Sequence, residues 1–255
     1  MIVLFGDEAL RDGIDIDTET FFRRLSDSNE LPTTSQPSPA VFRETYQRLE
    51  QEGATEILSL HIAGVLSGTL ASAQQGAEGL DIRVEHVDSE LASLALGLGV
   101  IKAAQVIEGG GSLDEAKAQA EDQFRRTHVY FVLDTLDYLL RGGRIGRAAH
   151  AFGTLLKVKP VLTFEQGEVV QLARARTFAK ALDRGIELAQ EHFPIELAGA
   201  MYTDTPEPMH VVADRFHDLA PDAQIITGAL GPTIGVHAGP GTVAFAVISS
   251  PDTAG

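Results

Sequence analysis

Short apolar runs alternate with amphipathic stretches through the first half of the chain. "IVLF" (2–5), "EILSLHIA" (56–63) and "IRVEHV" (82–87) have the length and composition of strands. Ser38 followed by Pro39 marks a helix start; Phe42, Tyr46 and Leu49 recur at i, i+4 and i+7, and Gly53 ends the pattern. Asp88–Ser89 is expected to cap a long apolar helix running to about Glu108, and Ser112 with Glu115 reads as a capping box. This alternation predicts a largely parallel sheet with helices on both faces, a three-layer α/β/α domain over residues 1–126.

The second half is richer in strands. "VYFVLD" (129–134), "VKPVLTF" (158–164) and "VVQLAR" (169–174) come first, with "EQGE" (165–168) as a tight hairpin between the last two. "ELAGAMYT" (196–203), "AQIITG" (223–228) and "TVAFAVIS" (242–249) follow. Helices are expected near 177–192 and 205–219, the second with Thr205 as cap and Pro206 at its first position. The pattern predicts a six-stranded mixed sheet with helices on one face, a two-layer domain over 127–255. The boundary falls near 125–128, where "EDQFRR" gives way to strand.

A chain of 255 residues is long enough for one large domain or two small ones. The absence of cysteine excludes disulfides, thiolate metal sites and a cysteine nucleophile. No run approaches the roughly 18 apolar residues of a membrane span, and "MIVLFGDEALRDG" has no signal-peptide pattern, so a cytoplasmic protein is expected. The net charge of −16 makes nucleic acid a poor partner, because Lys and Arg supply most of that affinity.

Four loops carry the candidate chemistry. "LPTTSQPSP" (31–39) gathers hydroxyls and prolines before a helix, and includes Thr34. "HIAGVLSGTLASA" (61–73) runs from a strand through Ser67-Gly68-Thr69 into a helix. Ser67 is either a plain helix cap or a ligand donor at the carboxyl end of a parallel strand. "RGGRIGR" (141–147) reads as charge balance on a turn or as a docking patch for an acidic partner or phosphate. "GPTIGVHAGPGTVAF" (231–245) surrounds His237 with glycine and proline and is expected to form neither helix nor regular strand. His237 then sits on a hairpin turn facing solvent, or on a loop whose glycines let backbone approach a ligand. A serine-type hydrolase using Ser67, His237 and an acid such as Asp88 is a fair alternative, although "GVLSG" is not the G-x-S-x-G elbow. There is no G-x-x-x-x-G-K-[ST] phosphate cradle and no H-E-x-x-H metal motif; neither a metal nor a cofactor is expected. His210 and His217 fit the solvated face of a surface helix.

"TTSQPS", "LSGT", "VDS" (87–89), "LDTLDYLLRGGRIG" and "GVHAGPGT", in this order and spacing, resemble the DegV family over nearly the whole chain. The resemblance implies a two-domain α/β fold that binds a long-chain fatty acid in a tunnel between the domains. It implies that Thr34 and Ser67, with Gly68 beside it, and less directly His237, hold the carboxyl end. It also implies that the chain serves as the fatty-acid-binding subunit of a bacterial fatty acid kinase. A separate ATP-binding subunit would then make the acyl phosphate, docking through Arg144 and Arg176. A stand-alone lipid carrier or sensor is the alternative within this class, and a monomer is the simpler expectation. The family pattern begins with an apolar strand and a "TDS"-type loop upstream of the segment matching "IVLFGDEALRDG". A start lacking that strand and its helix is therefore expected to expose apolar surface. His61, Ala63 and Gly64 stand where the family often has small hydroxyl residues.

Overall fold

The computed structural model describes residues 1–28, 31–149 and 158–251. Packing divides the chain into two units, Met1–Ser35 with Arg126–Gly255, and Gln36–Arg125. The sequence expectation of continuous domains over 1–126 and 127–255 differs at one place: the first 35 residues pack with the second half. Val3, Ile16, Phe21 and Leu25 share one buried cluster with Val236, and that long-range packing leaves no local trace in sequence.

In this first unit, β1 (Ile2–Phe5), β2 (Glu8–Arg11) and β3 (Thr33–Ser35) form an antiparallel sheet in the order β2-β1-β3. Helix α1 (Thr18–Asp27) starts at Asp17, whose carboxylate accepts from the Thr20 N–H at 2.7 Å. Its apolar face delivers Phe21 and Leu25 to the cluster.

The larger sheet of the same unit is mixed and six-stranded. It comprises β6 (Thr127–Val132), β7 (Lys159–Glu165), β8 (Glu168–Ala175), β9 (Ile195–Tyr202), β10 (Gln224–Ala229) and β11 (Val243–Ser249). The strand order is β10-β9-β11-β6-β7-β8. The β7–β8 hairpin turns through Gln166 and Gly167, both with positive φ (52° and 77°), which suits a two-residue turn. Helices α7 (Phe178–Gln190) and α8 (Glu207–Leu219) pack Leu182, Ile186, Val212 and Phe216 against Val161, Phe245 and Val247 of the sheet. The N-cap position of α8 is Pro206, one residue beyond the expected Thr205.

The second unit contains α2 (Pro39–Gln51), β4 (Glu56–His61), α3 (Thr69–Ala77), β5 (Arg83–Asp88), α4 (Ser93–Glu108) and α5 (Leu113–Arg126). Its parallel sheet is the pair β4–β5 among the described residues. Ile57, Ser59 and His61 share one face of β4, as period-2 alternation requires. Tyr46 Oη lies 2.8 Å from Ser59 Oγ, which lies 2.8 Å from His61 Nε2, a polar relay inside an apolar cluster.

The capping box forms as expected: Glu115 accepts from the Ser112 N–H at 2.7 Å, and Ser112 Oγ accepts from the Glu115 N–H at 3.2 Å. Asp88–Ser89 does not cap α4, which begins at Ser93. Ser89 Oγ instead donates to the His61 carbonyl at 2.7 Å and accepts from the Leu91 N–H, while Glu90 and Ser93 take positive φ (55° and 56°). The hydroxyl is spent on a turn ahead of the helix. Among the described residues no helix is long and apolar enough to cross a membrane.

Candidate functional site

Thr34 lies on the short strand β3, directly opposite Val3 of β1. His237 lies in the last turn of α9 (Pro232–Ala238). That helix overturns the expectation of an irregular loop. Pro232 occupies the first turn, where a missing N–H costs nothing. Gly235 is a packing residue: a Cβ there would stand 2.6 Å from the Phe21 ring. Gly239, with φ 74°, ends the helix against Tyr138. The glycines that read as loop formers are therefore a close helix contact and a helix stop.

The pairing of β3 and the seating of α9 bring Thr34 Oγ1 and His237 Nε2 to 2.9 Å. His237 Nδ1 is buried and has no hydrogen-bond partner among the described residues. Burial, and next the positive charge of Arg144, push the His237 pKa down to about 4, so the ring is neutral at physiological pH. An orphaned lone pair is easier to bury than an orphaned N–H, which assigns the proton to Nε2. Nε2–H then donates to Thr34 Oγ1, and the threonine hydroxyl hydrogen is left to point at something else.

Behind the histidine runs the turn that follows α6 (Asp137–Arg141). Arg144 Nη1 donates to the Gly142 carbonyl at 2.7 Å, and Gly142 abuts the His237 ring. Arg147 pairs with Glu165 and Glu168, both at 3.0 Å, so charge balance describes this arginine of the loop. Arg176 is exposed just beyond β8.

Ser67 and Gly68 belong to the other unit. Ser67 Oγ lies 2.7 Å from Thr69 Oγ1, and Gly68 is the N-cap residue of α3. A Cβ on Gly68 would stand 2.5 Å from the Gln36 amide, so its missing side chain serves packing. A serine-type triad needs a carboxylate on the histidine Nδ1. Here that atom has no partner among the described residues, while Asp88 accepts from the N–H groups of Gly64 and Glu90. The hydrolase arrangement is not built around His237.

Sequence reasoning put Thr34, Ser67, Gly68, His237, Arg144 and Arg176 forward. The structure joins Thr34 to His237 and places Gly142, whose carbonyl accepts from Arg144, against the ring. A Gly-Gly pair reads as an ordinary turn, so the sequence carries no signal for Gly142.

The described residues form a two-unit α/β fold in which His237 backs the Thr34 hydroxyl, an arrangement able to offer a hydrogen bond to a ligand. The chain belongs to the DegV family: the model described as "uncharacterised protein, DegV family" matches residues 1–250. A DegV domain-containing protein of Streptomyces coelicolor, SCO2569, is 39% identical over 253 residues, covering 98% of this chain and 89% of that one. The solved structure of a fatty-acid-binding DegV family protein from Thermus thermophilus is 35% identical with a TM-score of 0.89, covering 98% of this chain and 90% of that one. DegV of Bacillus subtilis, solved as a fatty acid binding protein, is 31% identical with a TM-score of 0.89, covering 98% and 90%.

Proposed function

We propose that this chain binds a long-chain fatty acid and presents its carboxyl group to a separate ATP-dependent kinase subunit, as a monomer in the cytoplasm. The observation that carries the binding step is the 2.9 Å contact between Thr34 Oγ1 and His237 Nε2. A neutral, Nε2-protonated His237 leaves the Thr34 hydroxyl free to donate, and a carboxylate is an acceptor only. Ser67, at the start of α3, supplies a second hydroxyl donor, helped by the partial positive charge of the helix N-terminus. The relatives described as fatty acid binding support this ligand class. The absence of a phosphate cradle motif favours ATP on another protein, and Arg144 and Arg176 are the residues proposed to meet it.

The test uses delipidated protein and oleate. Ser67→Ala is expected to weaken binding about tenfold, as loss of one hydrogen bond to a charged group does, with unchanged circular dichroism. Wild-type affinity in a folded variant would remove Ser67 from the site. With ATP and an ATP-binding fatty acid kinase subunit added, acyl hydroxamate trapping should report acyl phosphate only when both proteins are present. Product from the kinase subunit alone would refute the presenting role.

A further inference from the structure

The two glycines that follow α6 are glycine for different reasons. Gly143 has φ +68° and open space where a Cβ would stand, so its backbone requires it. Gly142 has φ −74° and ψ −6°, a conformation open to every L residue. A Cβ on Gly142 would nevertheless stand 2.4 Å from His237 Nδ1 and 3.1 Å from its Cε1. The carbonyl of Tyr138 would stand at 3.0 Å, a distance that a shift of a few tenths of an ångström relieves. The imidazole occupies the volume that a side chain would take.

Neither side of this contact is loose. The ring is tied at Nε2 to Thr34 Oγ1 at 2.9 Å. Gly142 is tied through its N–H to the Tyr138 carbonyl at 2.9 Å and through its own carbonyl to Arg144 Nη1 at 2.7 Å. Gly239, which ends α9, packs directly on Tyr138. An atom added at Gly142 must push the ring off Thr34.

We infer that Gly142 is a positioning residue of the carboxylate site: its bare Cα is the wall against which His237 rests, and it thereby sets the direction in which Thr34 offers its hydroxyl. The ligand in this inference rests on the proposed function; the wall does not. Arg144, in the loop that reads from sequence as charge balance or as a docking patch, braces this residue through the Gly142 carbonyl.

Four variants test this: Gly142→Ala, Gly143→Ala, His237→Ala and the Gly142→Ala/His237→Ala double variant. The readouts are the imidazole NMR signals of His237 without ligand and the Kd for oleate. Gly142→Ala should shift the His237 signals, raise its titration midpoint toward the ordinary histidine value and weaken oleate binding about tenfold. In the His237→Ala background the same change should alter the Kd less than about twofold, because the clash is gone. Gly143→Ala should lower stability and leave the His237 signals in place. Unmoved His237 signals in Gly142→Ala overturn the inference, as does an equal loss of affinity with and without the histidine. If wild-type protein binds no oleate, the ligand reading fails, and the NMR comparison alone decides the role of Gly142.

Discussion

Thr34→Val is expected to weaken fatty-acid binding by about 10- to 100-fold, the range set by hydrogen bonds to charged groups. Valine keeps the shape of threonine and suits a strand, so β3 should hold its register opposite Val3 and Leu4. What disappears is the hydroxyl that lies 2.9 Å from His237 Nε2. The loss acts twice: the carboxylate loses a donor, and the histidine N–H loses its acceptor. Calorimetric titration with oleate measures the first effect, and a thermal melt within a few degrees of wild type shows that the fold survives. Equal affinities for Thr34→Val and wild type would place the carboxylate elsewhere.

Acid should destabilise this protein well before its carboxylates titrate. Burial pushes His61, His128 and His237 down to about 4, and His86 and His192 are also lowered by burial. His61 is further lowered by His86 beside it. His128 lies stacked on His192, with ring centroids 3.3 Å apart, and a charge on one ring opposes a charge on the other. More than about one unit above pH 6.5 these rings are neutral in both folded and unfolded chains and contribute no pH dependence. Below it the unfolded chain binds protons that the folded chain refuses, and stability falls until the folded pKa near 4 is reached. Each fully buried ring costs roughly 1.4 kcal/mol per pH unit in the middle of that window. With the half-buried His128 and His237 discounted for solvent, the loss between pH 7.5 and 5.0 should be about 3 kcal/mol. Depressed carboxylates such as Asp15, held at about 2 mainly by its hydrogen bonds with Arg11, add their loss only at lower pH. Urea unfolding at the two pH values measures the difference; equal stabilities would contradict the burial of these rings.

Much of the fold was legible because its signals are local. The six strands of the mixed sheet are runs of six to eight residues bounded by turn residues, and each coincides with its apolar run to within two residues. "EQGE" carried its own turn chemistry, and "SLDE" its own cap. Three features were not legible. β3 is three residues of threonine and serine, whose strand character comes only from pairing with β1. α9 was hidden because Pro232 and Gly235 read as breakers, whereas one opens the helix and the other admits Phe21 and Phe22. The docking of residues 1–35 onto the second half has no local signal at all.

The site divides in the same way. Thr34, Ser67 and His237 stood out through motif order, and their residue types announced hydrogen-bond chemistry. Their geometry did not: nothing in sequence says that His237 meets Thr34, or that Gly142 rather than Gly143 backs the ring. A φ of −74° at one glycine and +68° at its neighbour separates a packing role from a backbone role, and sequence shows both as the same letter.

Denaturing mass spectrometry of an organic extract from the purified protein tests the central claim most directly. The account predicts one equivalent of a fatty acid of about 14 to 18 carbons, a size that suits a pocket of a few hundred Å³. An extract without fatty acid, from a folded protein that also takes up no added oleate, would contradict it.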